Sequence, residues 1–255
     1  YKNGNKMRIE SWKHGIPGGE WKYFYENENK KAFGEISKGS RTGYWKYYFE
    51  NEAIASEGNW DNDTLNGLWI YYHENGNIRE KGYWLNDYQH GLWEYFYENG
   101  LKETAGYWHY GRKEDFWKYF YENGSVKEFG NWTDNKQTGL WKYFHENGQL
   151  SSIGLWSNSM KIGKWRYFHE NGKIKSKGRW INDEQFGIWK FYNNDGKLKN
   201  KGLWRSDLPD GEWINYHENG KKSEQGFFSQ GKKSGLWCYY SDNGRLMIKG
   251  RWQDD

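Results

Sequence analysis

Apolar and polar positions alternate with a period of two along short segments of this chain, and glycine, asparagine and aspartate interrupt them at regular intervals. Residues 67–76 read GLWIYYHENG and residues 91–100 read GLWEYFYENG, near copies 24 positions apart. Short alternating runs rich in Trp, Tyr and Phe predict β-strands, because such side chains pack on a half-buried pleated surface. Ten tryptophans stand at 21, 45, 69, 93, 117, 141, 165, 189, 213 and 237. The other nine, at 12, 60, 84, 108, 132, 156, 180, 204 and 252, form a second lattice of the same spacing, with Ile36 and Phe228 in its two gaps. The unit reads G-x-W-x-Y-[YF]-x-E-N-G, then x-[IL]-x-x-x-G-x-W, then a polar connector of six residues; the chain holds ten units plus fragments. A fixed period of this kind marks a repeat architecture.

Each unit predicts a β-hairpin. Asn-Gly between two alternating runs signals a two-residue type I′ turn, which needs positive φ at both positions. Asn75-Gly76, Asn99-Gly100, Asn123-Gly124, Asn147-Gly148, Asn171-Gly172, Asn219-Gly220 and Asn243-Gly244 fit, and Asp195-Gly196 is an equivalent. Asn27-Glu28 and Asn51-Glu52 depart from the pattern, so looser turns are expected in the first two hairpins. The resulting register sets Trp69 opposite Gly82 and Trp84 opposite Gly67, and repeats as Trp93 with Gly106, Trp165 with Gly178 and Trp189 with Gly202. A glycine facing an indole leaves room for the ring, which gives the two residue types one purpose. The connectors place Gly15, Gly39, Asp63, Asp87, Gly111, Asn135, Asp183, Asp207 and Gly231 where positive φ is expected, and hold both prolines, Pro17 and Pro209.

A two-stranded hairpin is marginal in water, so the units must stack. The expected fold is all-β: an elongated solenoid of about ten stacked antiparallel hairpins, forming a single continuous repeat domain over 1–255 with partial repeats at both ends. Two strands per unit at roughly 4.8 Å give ~10 Å per repeat and a rod on the order of 100 Å.

Composition adds to this picture. With 21% aromatic residues, 33 glycines and 2 prolines, the chain carries its burial capacity in rings, so the low mean hydropathy of -1.26 does not signal disorder. The net charge of +4 is small, and opposite charges are interspersed along the sequence, so nothing in it demands a polyanionic partner. The single Cys238 excludes an internal disulfide framework. No apolar run reaches the ~20 residues of a membrane helix. The compartment stays open between cytoplasmic and secreted or cell-surface, since a leader cannot be assessed from a chain that begins inside a repeat.

The ionisable residues offer no catalytic constellation. Glu74, Glu98, Glu122 and Glu146 recur beside the turns, but at ~10 Å apart they are too distant for paired acid–base work. His73, His145, His169 and His217 share the position held elsewhere by Tyr25, Tyr97 and Tyr121, and neighbours cannot both reach one metal at ~2 Å bond lengths. Cys238 stands where other units have lysine and lacks an orienting base. Nucleophile-elbow, P-loop, C-x-x-C and H-E-x-x-H patterns are absent. The expectation is a protein that is not an enzyme, with no catalytic, cofactor-binding or metal-binding residues.

Alternation divides the aromatics between two faces. One carries both tryptophan rows, the tyrosines exemplified by Tyr71 and Tyr95, and aliphatic residues such as Ile78, Leu150 and Ile174, and is the expected core. The other carries Tyr72, Phe96, Phe120, Phe144, Phe168 and Tyr192 between lysine and glutamate rows. In the two-residue-turn register Tyr72 faces Arg79, Phe120 faces Lys127 and Phe168 faces Lys175, which suggests cation–π cover. These six aromatics are the candidate partner-binding residues, because rings supply contact area at low entropic cost while charged borders set orientation.

The joint recurrence of G-x-W, Y-Y/F and E-N-G over essentially the whole chain resembles the MORN-repeat variant found in many bacterial proteins, including the YwqK-type antitoxin family. That resemblance implies a scaffold of stacked hairpins that binds other proteins, in some cases as an antitoxin or immunity protein, with a lipid-surface role also proposed for such repeats. Asp115 for glycine, Asn215 for tyrosine, and Ile36 and Phe228 for tryptophan depart from the pattern and point to altered local packing. The function expected is protein binding along the aromatic-lined face. The alternative is carbohydrate or cell-surface polymer binding through stacked rings. Partners expected are a protein and, through open end strands, end-to-end or self association; no specific nucleic acid is expected, because no basic patch concentrates along the sequence.

Overall fold

The computed structural model describes residues 1–252. Every regular element among them is a β-strand, and two compact units divide the chain: Tyr1–Ser125 with Trp132–Asn135, and Val126–Asn131 with Lys136–Asp255. The first unit is an antiparallel meander from Gly19–Phe24 to Arg112–Phe120, preceded by Arg8–Ile9, which pairs with Gly19–Phe24, and by a small hairpin of Trp12–Lys13 and Ile16–Pro17. The second unit is a like meander from Lys136–Phe144 to Leu246–Trp252.

The tryptophan–glycine register follows the sequence. Trp69 pairs with Gly82 and Trp84 with Gly67, and the same holds for Trp93 with Gly106, Trp165 with Gly178 and Trp189 with Gly202.

The turn types are exchanged relative to expectation. At Asn75-Gly76 the loop has three residues: Gly76 N–H donates to the His73 carbonyl at 2.9 Å, His73 N–H donates to the Asn77 carbonyl at 2.8 Å, and the positive φ of 86° falls on Gly76. This is a turn closed by a left-handed glycine, and its extra residue shifts the register beyond Tyr71. Tyr72 therefore faces Ile78 rather than Arg79, and Phe168 faces Ile174 rather than Lys175, so these aliphatic residues stand opposite the second-face aromatics instead of joining the tryptophan face. The two-residue type I′ turns are in the connectors, where Asn86 and Asp87 take φ of 49° and 66° between paired Leu85 and Tyr88. All nine connector positions expected to have positive φ have it.

The first two hairpins are not looser. Glu52 N–H donates to the Phe49 carbonyl at 3.1 Å and Phe49 N–H to the Ala53 carbonyl at 2.8 Å, with Glu52 held at φ 67°; Glu28 repeats this at φ 68°. The same loop is kept by forcing a side-chain-bearing residue into the left-handed region, which costs roughly 1–2 kcal/mol per residue.

The core lies on the tryptophan face. Trp45, Trp69, Trp93, Trp117, Trp141, Trp165, Trp189 and Trp237 are fully buried. Most of these indoles stack on the tyrosine two residues on, as with Trp93 and Tyr95 at 6.0 Å, Trp189 stacks on Phe191 instead, and several meet a second-lattice tryptophan edge-on, as with Trp84 and Trp93 at 5.3 Å and 89°. Such pairs add about 0.5–1.5 kcal/mol beyond the area they bury. The ring that occupies the space above a glycine belongs to the following strand, not to the hairpin partner. A Cβ on Gly82 would lie 2.2 Å from Trp93, and one on Gly106 only 2.0 Å from Trp117. Gly67, across from Trp84, has no ring near it; its φ of 76° serves a bulge instead. At the equivalent bulge, Gly91 and Leu92 are the extra residues, and Trp93 Nε1 donates to the Tyr83 carbonyl at 3.0 Å.

Departures from the repeat have graded effects. Asp115 keeps the left-handed conformation of the glycine it replaces, at φ 57°. Ile36 is buried, and Phe228 packs edge-on against Trp213 and Trp237. Asn215 changes more: Trp213 Nε1 donates to Asn215 Oδ1 at 3.2 Å, and Ile214 becomes the buried residue beside a half-buried Trp213.

Gly106→Ala is expected to destabilise the fold by about 3 kcal/mol, since the added carbon must displace a fully buried indole. Glu52→Gly is expected to stabilise it by about 1 kcal/mol by relieving the left-handed strain. Chemical denaturation of the two variants against the parent checks both signs.

Candidate interaction face

On the tryptophan face, the polar edges of the rings are largely used within the fold. Trp60, Trp108 and Trp180 donate Nε1–H to the hydroxyls of Tyr47, Tyr95 and Tyr167 at 3.0–3.1 Å. Burial pushes the phenols of Tyr71, Tyr95 and Tyr167 up to about 12. Phe191 offers no hydroxyl at this position, and the buried Trp204 Nε1 opposite has no acceptor. Cations cover the indoles: Arg41 lies 3.5 Å above Trp60, and Lys161 Nζ is 4.9 Å from Trp180 and 5.2 Å from Trp165.

The turn edge is occupied as well. His73, His145, His169 and His217 place Nε2 2.8–3.1 Å from a carbonyl in the next repeat, as Tyr25 and Tyr97 do with their hydroxyls at 2.7 Å. A carbonyl only accepts, so each Nε2 carries the proton, and these histidines do the work of the tyrosines they replace. Asn75 adds a bond that the sequence did not suggest: its Nδ2 donates to the Glu98 carbonyl at 2.8 Å, while its Oδ1 accepts from Asn77 N–H.

The second face remains. The six candidate aromatics lie on it, and all are half-buried. Lys81 covers Phe96 at 5.6 Å, Lys118 covers Phe120 at 5.2 Å and Lys177 covers Tyr192 at 5.5 Å; these are different cations from those the shorter turn implied. Tyr72 donates its hydroxyl to Glu57 at 2.7 Å, Phe144 packs on Phe129 at 5.6 Å, and the Phe168 carbonyl accepts from His145.

The exposed apolar residues of this face are in a neighbouring row. In the first unit Leu68 pairs with Tyr83 and Leu92 with Tyr107, at 41%, 54%, 45% and 46% exposure. The signal was present in the sequence, because the variable residue of G-x-W is apolar in Tyr44, Leu68, Leu92, Leu140, Ile188 and Leu236 and alternation sets it opposite the indole. Beside this row the charges are paired: Lys46 with Glu57 at 3.0 Å, and Glu94 between Lys81 at 3.1 Å and Lys102. Hydrogen bonding from Lys102, and then from Lys81, holds the Glu94 carboxyl below its usual range against the opposing effect of burial.

In the second unit the apolar row continues at Leu140 and Leu155, but over the next strands these rows become basic. Lys164 pairs with Arg179, Arg166 with Lys177, Lys177 with Lys190, and Lys190 with Lys201. The even distribution of charge along the sequence therefore does not hold in space, and a basic patch does concentrate on this face.

Seven segments, residues 41–62, 65–86, 89–109, 137–158, 161–182, 187–205 and 209–230, match the family model described as the MORN repeat variant. No curated protein matches the chain. Among solved structures, the crystal structure of TcdB2-TccC3-Cdc42 is similar at 10% identity and a TM-score of 0.20, over 88% of this chain and 14% of that one. The crystal structure of TcdB2-TccC3-TEV gives 9% and 0.19, over 96% and 17%. The Photorhabdus luminescens Tc holotoxin pore carrying the mutation TccC3-D651A gives 9% and 0.17, over 96% and 18%. This chain spans less than a fifth of the length of each, and likeness at these TM-scores bears on neither fold nor function.

The Glu94 triad generates an acid-dependent stability. Its pKa is lower folded than the ~4.3 of an unfolded glutamate, so its stabilisation is present above that value and lost as pH falls through the folded pKa. Glu94→Gln is expected to lower the thermal midpoint near neutral pH, with the difference from the parent vanishing well below pH ~4. Melts of both proteins across that range check it.

Proposed function

Because this chain belongs to the MORN repeat variant family, we propose that it is a non-enzymatic scaffold that binds another protein along the second face of its first unit. The observation that carries this reading is the apolar row Leu68–Tyr83 and Leu92–Tyr107, exposed beside a band of paired charges. The fold already has its core on the tryptophan face, so burying this row is left to a partner. The half-buried Tyr72, Phe96 and Phe120 extend the same surface beneath their covering side chains and would add area as those side chains swing aside.

An antitoxin or immunity role is the form of this reading in which the partner is a toxin held inactive. It rests on the resemblance of the repeat to antitoxin-type proteins. Carbohydrate binding draws less support from the geometry, since Trp69, Trp93 and Trp165 stack on the tyrosines two residues on and Lys81 and Lys118 cover Phe96 and Phe120.

The test is affinity capture from the native source with three baits: the parent, Leu92→Ser with Tyr107→Ser, and Phe96→Ala with Phe120→Ala and Phe144→Ala. A protein retained by the parent and lost with the serine pair is the expected result, and both exposed substitutions should change stability by less than about 0.5 kcal/mol. Equal retention by the parent and the serine pair refutes the apolar row as the binding surface; loss only with the alanine triple assigns binding to the ring row instead.

A further inference from the structure

On the second face of the second unit, Arg166, Lys177, Lys190 and Lys201 occupy one row across four consecutive strands, each directly opposite the next. Lys164 and Arg179 form a further like-charged pair beside them. Directly facing like charges disfavour sheet pairing. None of the six joins an ion pair among the described residues, and Lys177, Lys190 and Lys201 are half-buried. The equivalent row of the first unit alternates sign and is bridged through Lys81, Glu94 and Lys102. The repeat thus has a self-neutralising solution, and the second unit does not use it.

The patch is not only charged. Ile188, 63% exposed, stands within it, and a cavity of about 330 Å³ opens beside it over Gly178 between the cations. A second cavity of about 210 Å³ on its other side is lined by Lys201, Leu203 and Ile214; its one acid, Glu212, already accepts from Gln225 at 2.6 Å. From these features we infer that this face binds an extended acidic segment of a partner protein that carries apolar side chains between its carboxylates.

Spacing supports a peptide. Three inter-strand steps of ~4.8 Å span about 14 Å, close to the two ~6.8 Å steps that separate residues i and i+4 of an extended chain, so carboxylates at i and i+4 reach both ends of the row and the apolar side chain at i+2, on the same face, stands between them. The slots beside Ile188 take aliphatic groups. A nucleic acid would need open ring faces for base stacking, but Tyr192 is covered by Lys177 at 5.5 Å and Phe168 is half-buried. This surface differs in chemistry and position from the apolar row of the first unit, and the inference goes beyond that reading.

The test uses the full chain and fluorescence anisotropy. The probe is a labelled heptapeptide with glutamate, leucine and glutamate at positions 2, 4 and 6 and serine elsewhere, its control carries serine for the leucine, and oligothymidylate and phosphatidylserine–phosphatidylcholine vesicles are its competitors. The heptapeptide should bind at least about tenfold more tightly than its serine control, because the leucine fills a slot, and its binding should weaken steeply with added salt. Lys177→Glu with Lys201→Glu restores an alternating row and should cut the affinity by at least about tenfold without lowering the thermal midpoint. Should that variant fold poorly, the exposed Lys164→Gln with Arg166→Gln is expected to weaken binding in the same direction. Leu92→Ser with Tyr107→Ser should leave heptapeptide binding unchanged, which separates this surface from the first. Absence of heptapeptide binding, tighter binding of oligothymidylate or vesicles, or full affinity in the charge-altered variants would overturn the inference.

Discussion

The fold depends on the approach of an indole to the backbone of the preceding strand. With Cβ positions on Gly106 and Gly82 only 2.0–2.2 Å from ring carbons, no residue but glycine can occupy these sites without displacing a fully buried ring. The contact also links repeats. Gly82 pairs with Trp69 through the backbone on one side and receives the Trp93 ring from the other, so each unit provides the seat for the next unit's core residue. Stability in such an arrangement is largely a sum of nearest-neighbour interfaces, and a defect at one seat remains local. Asn215 illustrates this: Trp213 turns to bond it, while Trp237 in the following repeat is fully buried on Gly226 as usual.

Polar bonds between successive repeats follow the same logic at both edges. Asn75 and Asn77 donate to the Glu98 carbonyl at the turn edge, and Asp87 Oδ1 accepts the Leu65 N–H at the connector edge. These bonds explain why Asp or Asn is frequent at a left-handed connector position where glycine would be less strained. Asp63, Asp87, Asn135, Asp183 and Asp207 each satisfy a backbone N–H of the preceding connector, and Gly111 has no side chain with which to do so. The cost of a positive φ is offset by a donor that would otherwise be left to solvent.

Most of the architecture was legible in the sequence, because two interleaved lattices of tryptophan and glycine fix the strand register. Two features were not. Asn-Gly is compatible with a two-residue turn and with a three-residue loop ending on glycine, and the dipeptide alone does not choose; the difference is one residue, enough to exchange Arg79 for Ile78 opposite Tyr72. Nor could pairing tell which of two tryptophans lies over Gly82, since both are its backbone neighbours and only the direction of the ring decides. The candidate surface was legible in part. The second face was legible as an aromatic stripe with charged borders, but lysine stems cover the rings at Phe96 and Phe120 and leave Leu92 and Tyr107 the more open.

Because the tryptophan face, the turns and the connectors hold the repeats together, the second face is free to differ from one repeat to another. The two units use that freedom in opposite ways. In the first, Glu57 and Glu94 neutralise the lysines beside an apolar row. In the second, lysine faces lysine across three strands with no acid between them. Charge alternation along the sequence does not reveal this, since residues adjacent in the sheet are 11 or 13 positions apart in the chain. A mildly basic protein by composition thus carries one surface suited to apolar contact and another suited to acidic ligands. Such like-charge pairs lower stability, and a fold anchored by buried indole stacks can retain them.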